Sequence, residues 1–303
     1  MKILVTDPIH EDGLKKMKEF ADVEINTDLS HEELIEKVPE FDAMVVRSAT
    51  KVREDVLESA KNLKLIVRAG VGLDNIDLDS AEEKGIEVNN TPEAPTNSVA
   101  ELAIGLLMAW ARKLVQADEA MKNGEWIKSQ ITGTELKGKT LGVIGTGRIG
   151  REVAKRAKAL GMKLLGYDVV KSDEFRDMGG EYRELDGLLK NSDYITIHVP
   201  LIPQTKHMIG EEELRKMKTS AVIVNTARGP IIDEEALLKA LQNEEIAGAC
   251  LDVYESESPE DSDIVKLSNV ISTPHIGAST KEAQRAAGVL AAEKIQEYFE
   301  ENS

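Results

Sequence analysis

The chain has 303 residues, of which 41% are hydrophobic and 31% charged, enough for about two globular domains. No apolar run is long enough to span a bilayer, and Met1–Asp7 lacks signal-peptide architecture. A net charge of −17 argues against nucleic acid or an anionic membrane as a partner, so any anionic substrate needs a local basic cluster. The single cysteine, Cys250, leaves no intramolecular disulfide, fits a reducing cytoplasmic setting, and sits in the apolar run IAGACLDV as a packing residue.

Lys2–Thr6 (KILVT) reads as a first strand, and Glu11–Phe20 as a helix with Leu14 and Met17 at helical spacing. Ser30 and Glu33 form a capping box that starts another helix. Ala43–Val46 and Leu63–Val67 are short apolar runs of the buried parallel kind, ending at Arg47-Ser48 and at Arg68 before a Gly70–Gly72 turn. Strands alternating with helices imply a parallel sheet, in which ligands sit beyond the carboxyl ends of strands. The segment Asn97–Leu114 has almost no polar face and reads as a helix buried on every side. The loop Asn123–Lys139, with Trp126 and several glycines, reads as an arm.

The most informative stretch is Lys139–Asp168. An apolar strand, Leu141–Ile144, runs into Gly145, Gly147 and Gly150. A helix follows, and then a second strand ends at Asp168, 18 residues after the third glycine. Each part has a role in binding a dinucleotide. The first glycine permits the turn, the second lets backbone approach a pyrophosphate, and the third lets the helix pack on the strand. The helix N-terminus then faces the phosphates, and Asp168 accepts a hydrogen bond from the adenine ribose while repelling a 2′-phosphate. NAD rather than NADP is the expected cofactor. Beyond it, Tyr194–His198, Ala221–Val224, Ala247–Leu251 and Val270–Ser272 read as strands, making six in a doubly wound sheet. Ser279 and Glu282 read as another capping box before a last helix carrying Ala287, Leu290, Ala291, Ile295 and Tyr298 on one face.

A dinucleotide implies hydride transfer, and oxidising an alcohol carbon calls for a base that titrates near neutrality. Of five histidines, His10 and His31 lie in polar segments, and His207 lies in a loop. His198 ends a strand, where it either meets the cofactor or serves the core. His275, in STPHIGAST, follows a strand and a stiffening proline and is the best base. Arg228, in NTARGP, ends another strand; it reads either as a fork for a carboxylate or as a solvated surface arginine. Glu257 lies in an acidic run that otherwise reads as a solvated loop.

GTGRIG, NTARGP, GACLDVYESE and STPHIGAST together resemble the D-isomer-specific 2-hydroxyacid dehydrogenases. VVRSATKV, VRAGVGLDNID and TGTELKGKTLG narrow the resemblance to members that oxidise 3-phospho-D-glycerate. The resemblance implies a catalytic set of Arg228, Glu257 and His275, in which Arg228 holds the substrate carboxylate and C2 oxygen, His275 moves the C2 proton and Glu257 orients the imidazole. It implies cofactor contacts at Gly145, Gly147, Arg148, Ile149, Gly150, Asp168, His198, Val199, Pro200, Thr205, Ala227 and Asp252. Substrate contacts are implied at Arg47, Ser48, Arg68, Val71 and Gly72, and at Lys128 reaching from a second subunit; no metal is expected. The implied fold is α/β, with a six-stranded NAD domain (97–274) inserted into a discontinuous Rossmann-like substrate domain (1–96 and 275–303) and a homodimer formed through Asn97–Lys139.

Two features depart from the family pattern. Its usual Glu-Pro at the catalytic glutamate reads Glu257-Ser258-Pro259 here, and the chain stops at Ser303 without the regulatory domains of longer members. Inhibition by serine through such a domain is therefore not expected. Two rival readings remain on sequence grounds: a hydroxypyruvate or glyoxylate reductase with the same catalytic set, and a non-catalytic NAD-sensing protein.

Overall fold

The structure is a computed structural model that describes residues 1–257 and 262–302; Ser258 and Pro259, where the family pattern is interrupted, lie outside the described residues. In chain order the first elements are β1 (Lys2–Val5), α1 (Glu11–Lys18), β2 (Asp22–Ile25), α2 (His31–Lys37), β3 (Ala43–Val46) and α3 (Glu54–Ser59). Next come β4 (Leu65–Arg68), α4 (Leu78–Glu83), β5 (Glu87–Asn90), α5 (Thr96–Ala111) and α6 (Leu114–Lys122). The central stretch comprises β6 (Thr140–Ile144), α7 (Arg148–Ala159), β7 (Lys163–Tyr167), α8 (Asp173–Asp177), β8 (Glu181–Tyr182) and α9 (Leu185–Asn191). The chain finishes with β9 (Tyr194–Ile197), α10 (Glu211–Lys216), β10 (Val222–Asn225), α11 (Glu234–Gln242), β11 (Gly248–Leu251), β12 (Val270–Ser272) and α12 (Lys281–Glu301).

Two compact units result: Met1–Thr96 with Ala278–Ser303, and Asn97–Gly277. The return to the first unit therefore follows Gly277 rather than residue 274. Local hydrogen bonds explain the difference, because the backbone N–H groups of Ile276 and Gly277 both donate to Asp252, which keeps the His275 turn in the second unit.

The first unit holds a five-stranded parallel sheet in the order β2-β1-β3-β4-β5. Its inner strands are the apolar runs legible in the sequence, and both faces are covered, as parallel sheets require. Leu34, Val56 and Ala81, from α2, α3 and α4, pack on one face with Met44 and Ile66; Met17, Ala291 and Ile295, from α1 and α12, pack on the other with Val45 and Val67. The flanking strands β2 (DVEI) and β5 (EVNN) carry no continuous apolar run and escape sequence reading. Helix α2 has the Ser30–Glu33 capping box, whereas α12 is capped by Thr280, which accepts from the Ala283 N–H, and not by Ser279.

The second unit's parallel sheet has seven strands rather than six, in the order β12-β11-β10-β9-β6-β7-β8. The additional strand is β8, only two residues long, with Tyr182 paired to Gly166. Helix α5 is shorter than expected and is not buried on every side. Lys113 adopts a left-handed conformation (φ 57°) that ends it and lets α6 begin at Leu114. Ala100, Ala103 and Leu107 face the core, while Glu101, Gly105 and Met108 are exposed.

Helices α1 and α12 meet where a Cβ on Gly13 would lie 2.5 Å from the Gly288 carbonyl carbon and oxygen. Neither backbone can yield without moving its helix, and overpacking of this kind costs about 1–3 kcal/mol. Gly13→Ala is thus expected to lower the urea midpoint of unfolding, and an unshifted midpoint would show that this crossing is not close-packed.

Candidate active site

Along the carboxyl edge of the seven-stranded sheet, every strand end but that of β8 delivers one residue singled out in the sequence. His275 follows β12, Asp252 follows β11, Arg228 follows β10, His198 follows β9, Gly145 follows β6 and Asp168 follows β7. The order of strands reverses between β9 and β6, where doubly wound sheets open a crevice. The glycine turn lies at that point, with Asp168 to one side and the catalytic candidates to the other.

The turn fits a pyrophosphate. Gly145 has φ 90°, and a Cβ there would lie 2.7 Å from the backbone of His198. A Cβ on Gly150 would lie 1.9 Å from the Gly145 carbonyl oxygen, while Gly147 faces open space. Helix α7 starts at Arg148 with no side-chain cap and no acid in its first turn, so its N–H groups and dipole remain available to an anion. Arg148 is exposed and Ile149 half-buried at this turn. Asp168 accepts a hydrogen bond from the Thr146 N–H at 2.6 Å.

Between the turn and the catalytic candidates lie two polar atoms sealed from solvent and without partners among the described residues, His198 Nδ1 and Thr226 Oγ1. Buried polar atoms are seldom left unpaired, and both of these follow strands on the same sheet edge as the glycine turn. His198 bonds to Thr196 Oγ1 through Nε2 at 2.8 Å, and desolvation lowers its pKa to about 3. It is therefore a neutral polar contact and not a base. The neighbouring loop is self-contained: Thr205 Oγ1 accepts from the Ile202 N–H and donates to the Pro200 carbonyl, and Val199 packs at Gly145. His207 pairs through Nε2 with Glu255 Oε1 at 2.8 Å, joining this loop to the segment that carries Glu257.

Arg228 is presented by a turn that Asn225 closes. The Ala227 N–H donates to Asn225 Oδ1, and Asn225 Nδ2 donates to the Arg228 carbonyl. Gly229 then lies so close to Tyr254 that a Cβ would come within 1.9 Å of its carbonyl group. The Asp252 carboxylate accepts from Thr273 Oγ1 (2.6 Å) and from the N–H groups of Ile276 and Gly277 (both 2.8 Å). Between these anchors His275 adopts φ 51°, an unusual conformation for a non-glycine residue, held further by its N–H bond to the Asp252 carbonyl. His275 Nδ1 lies 3.1 Å from Glu257 Oε1. A carboxylate only accepts, so Nδ1 carries a proton and the other ring nitrogen, Nε2, is the one not engaged by Glu257. With both side chains this open, the pair adds little to stability, about 0–1 kcal/mol, and its role is orientation.

In the first unit, Arg47 and Ser48 follow β3, and Arg68, Val71 and Gly72 lie at and beyond the end of β4, its neighbour. Sequence reading missed what shapes these loops. Buried Asp7 accepts from the N–H groups of Arg47 and Thr50, and buried Asn75 donates to the carbonyls of the same two residues. Asp7 follows a strand end, as the other site residues do, which was the available signal. The Arg68 guanidinium lies over Gly70, where a Cβ would come within 1.9 Å of it. Lys128 is exposed on the arm of the second unit. Burial pushes the Cys250 thiol up to about 12, which removes it from the chemistry.

Residues 104–277 match the family described as D-isomer specific 2-hydroxyacid dehydrogenase, NAD binding domain. The chain belongs to this family, and its cofactor is NAD. It is 53% identical, over 98% of its length, to a D-3-phosphoglycerate dehydrogenase of Methanocaldococcus jannaschii, of which it spans 57%. It is 49% identical to a hydroxypyruvate reductase of Thermotoga maritima, with 97% of each chain covered. Among solved structures it resembles the D-lactate dehydrogenase of Aquifex aeolicus complexed with NAD and lactic acid. The TM-score is 0.88 at 32% identity, over 99% of this chain and 96% of that one.

His198 makes a pH prediction. Its folded pKa is depressed below the ordinary 6.5, so on unfolding in acid the histidine takes up a proton that the native state refuses. The native state should lose up to about 1.4 kcal/mol per pH unit from this group as pH falls from about 6.5 toward 3. Urea unfolding at pH 7 and pH 5 should show a smaller acid loss in His198→Gln than in the parent; equal losses would remove His198 as the cause.

Proposed function

We propose that the chain catalyses NAD-dependent oxidation of 3-phospho-D-glycerate to 3-phosphohydroxypyruvate, the first step of serine biosynthesis, in the cytoplasm. The observation that carries the reading is the bond between His275 Nδ1 and Glu257, which leaves Nε2 as the proton acceptor on the same sheet edge as Arg228, two strands away. The Arg228 fork holds the substrate carboxylate and C2 oxygen. His275 removes the C2 hydroxyl proton and returns it in the reverse direction, while Glu257 fixes the ring. Bound NAD supplies the hydride acceptor at C2. Gly145, Gly147 and Gly150 seat the cofactor's phosphates, with Arg148 and Ile149 flanking them and Asp168 on the ribose. His198, Val199, Pro200, Thr205, Ala227 and Asp252 line the remainder of its path.

Arg47, Ser48, Arg68, Val71 and Gly72 form the substrate shell, joined by Lys128 from a second copy. That many cations suit a substrate with both a phosphate and a carboxylate. The second reading, reduction of hydroxypyruvate or glyoxylate, draws on the identity to the Thermotoga hydroxypyruvate reductase. A homodimer through Asn97–Lys139 is part of the proposal, because Met108, Leu114, Val115, Met121 and Trp126 in this region are all exposed apolar side chains, Trp126 at 76%.

Following NADH with phosphohydroxypyruvate and hydroxypyruvate separates the two readings. The phosphorylated acid should give the higher kcat/KM, and the reverse ranking would make the chain a hydroxypyruvate reductase. His275→Ala is expected to lower kcat by about a hundredfold or more; near-normal turnover would take the proton from its hands. Arg228→Lys keeps the charge but loses the fork, and should still cut kcat/KM sharply.

A further inference from the structure

Asp168 does not stand alone. Its Oδ2 accepts two hydrogen bonds from Thr146, from the N–H at 2.6 Å and from Oγ1 at 3.2 Å, and its Oδ1 accepts the Val170 N–H at 3.0 Å. Thr146 Oγ1 lies 2.7 Å from the Tyr182 hydroxyl, which also accepts the Ser172 N–H at 2.7 Å. The directions follow by elimination. A carboxylate only accepts, so the one Thr146 hydroxyl proton goes to Asp168. Tyr182 must then donate to Thr146, while its oxygen takes the Ser172 N–H. The result is a single directed chain, Ser172 N–H to Tyr182 O–H to Thr146 O–H to Asp168, whose members polarise one another in the same sense.

Tyr182 is itself fixed. It lies on β8 against Gly166, its ring is 5.2 Å from that of fully buried Phe175, and the Arg176 guanidinium stands 5.4 Å from the ring centre. Thr146 is 1% exposed. A carboxylate has about four acceptor positions, and three of those on Asp168 are occupied. The remaining one is on Oδ1, on a residue that is partly exposed.

We propose that Tyr182 is a specificity-determining positioning residue. Through Thr146 it locks the Asp168 carboxylate so that it accepts one ribose hydroxyl and cannot swing away from a 2′-phosphate. The proposal rests on the reading of Asp168 as the ribose contact and deepens it. A carboxyl group on its own turns easily about its last torsion, and one that turns can relieve repulsion by letting water or a cation between itself and a phosphate. The chain from Ser172 removes that freedom, so the exclusion of NADP comes from the orientation of the charge as well as its presence.

The test measures dissociation constants for NADH and NADPH by fluorescence titration, which does not depend on the substrate. Tyr182→Phe removes one hydroxyl and keeps the ring against Phe175. It is expected to reduce the NADPH-to-NADH ratio of dissociation constants by about fivefold, the scale of one hydrogen bond. Thr146→Val should act in the same direction, and Thr146→Ser, which retains the hydroxyl, should keep the parent ratio. Asp168→Ala serves as the reference and should lower the ratio further than either. If Asp168→Ala relaxes the ratio while Tyr182→Phe leaves it unchanged, or weakens both cofactors equally, Tyr182 is only structural and the proposal is overturned. An Asp168→Ala ratio equal to the parent's overturns the ribose reading itself, and the proposal with it.

Discussion

Parallel strands paired in register end side by side, and this constraint places the chemistry of the second unit. Six residues separated by as many as 130 positions in the chain, from Gly145 to His275, become neighbours along one sheet edge because β12, β11, β10, β9, β6 and β7 are hydrogen-bonded in that order. The backbone ladder does this without regard to the side chains that follow each strand. Those side chains are then free to vary with function, while the apolar runs that form the strands satisfy packing alone.

What the ladder delivers only approximately, short polar contacts refine. Asn225 closes the turn that presents Arg228, and Asp252 gathers the turn that presents His275. Thr146 and Tyr182 hold Asp168. In the first unit, Asp7 and Asn75 take up both the donors and the acceptors of the loop after β3. In each case a buried or half-buried polar residue holds the backbone or side chain of another at a strand end. Satisfying such groups is obligatory once they are shielded from water, so each holding contact also fixes a functional side chain.

Electrostatics are arranged locally against the charge of the whole. With a net charge of −17, the chain repels anions at long range. Against it, the start of α7 has no side-chain cap and no acid in its first turn, and arginines stand at the ends of β3, β4 and β10. Helices elsewhere, such as α1, α2 and α11, carry acids in their first turns. Helix α7 carries none, and neither do α5 and α6.

The sequence by itself determined the elements that repeat a simple rule. Inner strands were legible because burial on both faces demands continuous apolar runs, and the glycine turn was legible because three glycines and an acid at fixed spacing each meet a separate steric need. Edge strands β2, β5 and β8 were not, since burial on fewer sides leaves little pattern, and β8 is two residues long. The break at Lys113 and the cap at Thr280 turned on backbone angles and single hydrogen bonds, which periodicity does not encode. Only the tertiary structure decided which polar groups hold which: the grip of Asp252 on the His275 turn spans more than twenty residues and that of Tyr182 on Thr146 spans 36. Such contacts depend on strand order and chain reversal, properties of the whole sheet that no local stretch of sequence carries.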